Sequence, residues 1–128
     1  MTYGITDPKL RLSAHASLTA VDDGTNLWAF YTSDDNSLHR VRVDSSGKLQ
    51  QPVPIPVTQN PIPASPLTAV IFKGSPETIV LFYLLHDVGP DGSNAMTNVF
   101  ATTLTRVSTM AADANNWTVS SQVAVNTD

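Results

Sequence analysis

The segment Leu18-Thr19-Ala20-Val21 returns 49 positions later as Leu67-Thr68-Ala69-Val70, both times just after an Ala-Ser pair or an Ala-Ser-Pro triplet. A fold that accommodates this chain has to accommodate the repeat. The match continues. Leu27–Tyr31 ("LWAFY") aligns with Ile79–Tyr83 ("IVLFY"), both ending in Phe-Tyr, at an offset of 52. Asn36–Val41 then aligns with Asn94–Val99, with the offset grown to 58 by the longer turn "HDVGPDGSN". Leu49–Val57 ("LQQPVPIPV") aligns last with Trp117–Val125 ("WTVSSQVAV"). Short apolar runs with period-two alternation are the mark of strands. The connecting "DDGTN", "SDDNS" and "DSSG" are turn chemistry for antiparallel hairpins.

Each copy is thus expected to be four short antiparallel strands. Four-stranded units of about 50 residues, repeated, are the pattern of β-propeller blades. The plain alternative is an eight-stranded sandwich, which gives no reason for a repeat. The expected fold is all-β: a single domain over residues 1–128, with one blade at 16–57 and a second at 65–125. Three prolines in "LQQPVPIPV" remove ladder donors, so the fourth strand of the first copy is expected at a sheet edge. Two blades do not close a ring and leave two outer faces wet. Identical chains arranged around an axis solve this. Three copies give six blades and four give eight; a homotrimer is the expected homo-oligomer.

Composition narrows the function. The net charge is −4, with seven basic residues spread thinly over 128 positions, so no basic stripe is available for phosphates and nucleic acid is not an expected partner. Only 14% of residues are charged, below the usual quarter or so, which fits strands and turns. With no cysteine, neither a disulfide framework nor thiolate metal ligation is available. No apolar run reaches membrane-spanning length, and "MTYGITDPKLRLSAHA" has no signal-peptide core, so no membrane partner and a cytoplasmic location are expected. His15, His39 and His86 are too scattered for a metal-ligand pattern, and no cofactor motif occurs. No G-x-S-x-G stretch or Ser-His-Asp context marks a nucleophile, so no catalytic residue is assigned. The carboxylates of Asp22-Asp23-Gly24 and Pro90-Asp91-Gly92 are expected to cap turns.

The framework "SPLTAV", the apolar run ending in aromatic-Tyr, Asp34-x-Asn36-x-Leu38 and Trp117-Thr118 together resemble the fungal fucose-specific lectins over residues 16 to 125. The resemblance implies a six-bladed propeller, which some bacterial relatives build from three two-blade chains. It also implies a sugar site between neighbouring blades: an arginine from the second strand, a glutamate from the third, and a tryptophan or tyrosine from a neighbouring strand. Carried onto this chain, the arginine position holds Trp28 in the first copy and Val80 in the second. The glutamate position holds Arg40 and Asn98, and the tryptophan position Leu49 and Trp117. Only Trp117 keeps the family's residue. The implied protein is a lectin with a rebuilt site for a different sugar, or a related propeller with another use.

The candidate ligand-binding residues follow from these positions. Trp28 is either inter-blade packing or a stacking wall for a ring-shaped ligand. Arg40 points opposite to His39 in "LHRVRV" and shares a face with Arg42. It is either a solvated charge or a donor to an anion or polarised carbonyl. Tyr31 and Tyr83 end matching strands, as framework whose hydroxyls reach toward the inter-blade groove. His86, with Asp87, Asn94 and Met96, lies in or beside the long third-strand turn, either a lid over a pocket or a tolerated insertion. The leading function is a lectin-like propeller that binds carbohydrate between blades without hydrolysis. The alternative places a small-molecule ligand, or a non-hydrolytic cyclase or pericyclase reaction, in the same pocket. A degenerate interaction scaffold is the third reading.

Overall fold

The computed structural model describes residues 17–74, 76–88, 95–107 and 117–125. Among them there is no helix, and so none long and apolar enough to cross a membrane. The chain forms two antiparallel sheets in sequence order. The first contains β1 (Leu18–Asp22), β2 (Leu27–Thr32), β3 (Leu38–Val43) and β4 (Val53–Pro54), in the order β1-β2-β3-β4. The second contains β5 (Thr68–Phe72), β6 (Thr78–Val88), β7 (Ala95–Arg106), β8 (Trp117–Val119) and β9 (Val123–Ala124). Its order is β5-β6-β7-β8, with β9 also on β7. Each copy of the repeat thus forms its own antiparallel sheet. The second has five strands rather than four, because its last strand is broken at Ser120–Gln122.

The turns form for the reason the sequence provides. Asp22 Oδ1 accepts the Gly24 N–H (2.8 Å), and Asp23 Oδ1 accepts those of Thr25 (2.8 Å) and Asn26 (2.7 Å). Asp35 and Asp44 hold the next two turns through Ser37 and through Ser46 and Lys48. These are side chains standing in for backbone turn bonds. The turn expected at Pro90-Asp91-Gly92 lies outside the described residues, as do Asn94 and His15. β4 sits at the sheet edge as its prolines require, and its register is held by the Ile55 N–H bonding to Leu38 O (2.9 Å).

The pairing register defines which positions of the two sheets correspond. Thr19 faces Phe30, and Thr68 faces Phe82, which confirms the offsets of 49 and 52 for the first two strands. Beyond that point the sequence alignment slips. Arg40 faces Phe30, while Phe82 faces Ala101, so the third strands are offset by 61, not 58. Val53 faces Arg40 and Val123 faces Ala101, so the fourth strands are offset by 70. The start of the stretch expected as a long turn is instead ladder, with His86 pairing with Thr97, Asp87 with Met96 and Val88 with Ala95, while residues 89–94 lie outside the described residues. The β6–β7 hairpin simply continues past the end of its counterpart.

The two sheets pack face to face over one core. Val21, Trp28, Phe30, Leu38 and Ile55 enter it from the first sheet's side, and Ile79, Leu81, Tyr83, Leu85 and Leu104 from the second. Alternation does the sorting: Trp28 and Phe30 point inward on β2, while Leu27 and Ala29 point away. β1 lies against β5, and Ser17 Oγ ties the first sheet to Ser65 O.

Ala64, between the sheets, holds φ at 64°, a left-handed conformation that costs a side-chain-bearing residue about 1–2 kcal/mol. Ala64→Gly removes that cost and adds unfolded-state entropy of about 0.4–1 kcal/mol. The expected net result is a gain of about 0.5–1 kcal/mol in a urea titration.

Candidate functional site

The sequence-based candidates divide into separate groups. Trp28, Arg40 and Trp117 come together. Trp28, 1% exposed, meets Trp117 edge-to-face with ring centroids 5.3 Å apart. The Arg40 guanidinium carbon lies 5.8 Å from the Trp28 ring. All three are buried between the sheets, and burial lowers the Arg40 pKa. This is a packed cluster of cation and indole rings, with cation–π attraction strengthened by the absence of water. Of the two readings of Trp28, packing is the one its burial supports.

Tyr31 and His39 lie across from each other on the opposite face of the first sheet, ring centroids 5.4 Å apart and nearly parallel. Burial raises the Tyr31 pKa. His86 is exposed near the end of β6, where its carbonyl accepts a bond from Gln59 Nε2 (3.0 Å). Asn98 faces Leu85 on the continued hairpin. The register gives Arg40 the counterpart Ala101 instead of Asn98, and gives Leu49 the counterpart Val119 instead of Trp117. The repeat therefore does not place Asn98 or Trp117 where the alignment had put them.

Beside the tryptophans lies an ionic cluster that sequence reasoning missed. Arg106 bonds Glu77 at 2.9 Å and lies 3.5 Å from Asp23 Oδ2, and its guanidinium carbon is 5.7 Å from the Trp117 ring. Asp23 Oδ2 also accepts the Trp28 indole N–H at 2.8 Å. Burial opposes ionisation of Asp23. The Asn26 N–H, the Trp28 indole, the Thr25 N–H and the Arg106 charge together outweigh it and hold the carboxyl below its ordinary range. The Asp23 side chain is almost wholly buried, so the group is a clasp between the sheets. Its one legible signal was Asp23 in the "DDGTN" turn; Arg106 and Glu77 stand 29 positions apart, with no motif to join them.

Tyr83 leads to the groove. Its buried hydroxyl bonds Thr102 and accepts the side-chain N–H of Gln122 (2.8 Å), a residue of the groove's wall, but does not itself line the groove. The groove, of about 350 Å³, runs between Pro56, Val57 and Thr58 on one side and Val119 to Gln122 on the other. Val57 and Val119 rest on the core and form its apolar floor. Gln122 fixes the two walls: its amide oxygen accepts the Thr58 hydroxyl (2.9 Å) and the Gln59 N–H (3.2 Å), and its amide nitrogen donates to Gln59 O (2.7 Å). The lining carries hydroxyls and an amide but no charge. Sequence reasoning missed this because the break in the last strand, which opens the groove, sits inside a run that reads as one strand. Comparison with protein families, with curated proteins and with solved structures finds no match to this chain.

Proposed function

We propose that this chain is a lectin-like pair of β-propeller blades that binds a sugar, without hydrolysis, in the groove between its two sheets. The observation that carries the reading is the lining of that groove. A sugar offers hydroxyls along its rim and C–H groups on its face. Thr58, Ser120 and Ser121 offer neutral hydroxyl partners beside the apolar Pro56, Val57 and Val119. A shallow apolar site with a few convergent polar groups suits a small ligand. The repeat and the face-to-face sheets support the propeller reading. The position of the tryptophan cluster, buried in the core, moves the proposed ligand away from Trp28, Arg40 and Trp117 to the groove beside them.

Gln122 acts here as a positioning residue, since all its polar capacity goes to holding the walls. Binding to a broad glycan array, competed by free sugars including L-fucose, tests the proposal. Gln122→Ala is expected to lower the affinity for the best array hit by tenfold or more, a loss of about 1.4 kcal/mol, while the protein keeps its folded spectrum. A blank array from folded protein defeats the sugar reading and transfers the groove to an apolar small molecule.

A further inference from the structure

Gln122 has no hydrogen-bonding capacity left for a ligand. The Gln59 N–H only donates and the Gln59 carbonyl only accepts, which settles the oxygen and nitrogen ends of the Gln122 amide. The oxygen accepts the Thr58 hydroxyl (2.9 Å) and the Gln59 N–H (3.2 Å). The nitrogen donates to Gln59 O (2.7 Å) and to the Tyr83 hydroxyl (2.8 Å). The neighbouring hydroxyls are committed in one sense. A carbonyl oxygen only accepts, so Thr58 gives its proton to Gln122, and Ser120 gives its own to Ser121 O (3.2 Å). Ser120 Oγ also accepts the Thr103 N–H (2.9 Å). Lone pairs therefore remain on Thr58 Oγ1 at one wall of the groove and on Ser120 Oγ at the other. Ser121 holds the one side-chain proton of the lining that has no acceptor among the described residues.

We infer that the groove takes an amino sugar, one with a free ammonium in place of a hydroxyl, and that Thr58 and Ser120 receive the ammonium. The inference rests on the sugar reading and adds the chemical class of the ligand. An ammonium has three donors and no acceptor, so it matches oxygens whose own protons are already placed. A hydrogen bond from a charged donor is about twice as strong as one from a neutral hydroxyl. A sugar hydroxyl donates one proton here and finds only the Ser121 side chain to fill its lone pairs. A uronic acid or a sulfated sugar brings acceptors alone and meets oxygens. The lining holds no charge, so no lysine or arginine there neutralises such an anion or repels an ammonium. The chain as a whole carries eleven acidic against seven basic residues, which favours a cation over an anion.

Protein-observed NMR titration with free monosaccharides tests it. Glucosamine is compared with glucose and glucuronic acid, and galactosamine with galactose and galacturonic acid. A simple diamine stands for the amine without a sugar. In at least one series the amino sugar is expected to bind about tenfold more tightly than its hydroxyl counterpart, with no shift from the acid or the diamine at the same concentrations. Thr58→Val keeps the side-chain shape and removes one acceptor. Thr58 is exposed and Gln122 keeps both bonds to Gln59, so the circular dichroism spectrum is expected to be unchanged. This variant is expected to lose most of the preference for the amino form, and Thr58→Ser, which restores the acceptor, to regain it. Equal binding of amino and hydroxyl sugars by the wild type overturns the inference and leaves the sugar reading standing. A diamine that binds as tightly as the amino sugar, or a preference that survives undiminished in Thr58→Val, overturns it too. If no sugar binds, the sugar reading falls and the inference with it.

Discussion

Trp28→Ala lowers the stability of the folded chain by about 3–5 kcal/mol, the usual cost of emptying a large aromatic site in a core. Trp28 is the largest of the fully buried side chains and belongs to the core shared by the two sheets. Its removal deletes the edge contact with Trp117, uncovers one side of the Arg40 guanidinium, and leaves Asp23 Oδ2 without its indole donor. Trp28→Phe separates these effects. It keeps most of the apolar volume and the aromatic edge but loses the N–H, so the expected cost falls to about 1–3 kcal/mol, that of a buried hydrogen-bonding group left unmatched. A double-mutant cycle of Trp28 with Trp117 is expected to show a coupling of about 0.5–1.5 kcal/mol, the range for aromatic pairs beyond area burial. Urea denaturation followed by tryptophan fluorescence and circular dichroism reads all three. If Trp28→Ala costs under about 1 kcal/mol, the indole is not packed in the core.

What the sequence made legible depended on where the repeat was still in phase. The first two strands of each copy carry Leu-Thr-Ala-Val and aromatic-Tyr at offsets of 49 and 52, and the ladder confirms both. The third and fourth strands lost phase. Hairpins extend whenever both arms alternate, and nothing in "LLHDVGPDGSN" said that pairing runs on to Val88 and Ala95. The Asn at the start of each third strand offered a false anchor, three positions from the true register. A slip of three in a strand reverses which face a side chain occupies. Arg40 and Asn98 were matched on that basis, and they correspond neither in position nor in face. The carboxylate turns, by contrast, were legible because an Asx turn is local. The Asp23–Arg106–Glu77 clasp and the Gln122 groove were not, because each joins residues that only tertiary packing brings together.

Asp23 supplies the second large effect. Asp23→Ala removes two turn bonds, strands the buried Trp28 N–H and takes one carboxylate from Arg106, which keeps Glu77. A buried donor left without a partner costs about 1–3 kcal/mol, and the lost turn acceptor adds to it, so the expected loss is about 2–4 kcal/mol. The same group makes stability depend on acid. Its folded pKa lies below the ordinary 3.8, so the carboxylate is bound more tightly in the folded chain than in the unfolded one. That stabilisation is fully present above the unfolded value. It is lost as the pH falls below about 4 through the folded value, because the folded chain must then take up the proton late. Asp23→Asn keeps an acceptor for the Thr25 and Asn26 N–H groups but carries no charge to titrate. It is expected to be less stable than the wild type at pH 7, and the gap is expected to narrow as the pH falls below about 4. Asp35 and Asp44 are also held below their ordinary range by their serine partners, and they titrate alike in both proteins. The difference between the two stability curves therefore isolates Asp23. A gap that stays constant with pH would mean that the buried carboxylate is not stabilised by its partners, and the clasp would then reduce to turn geometry alone.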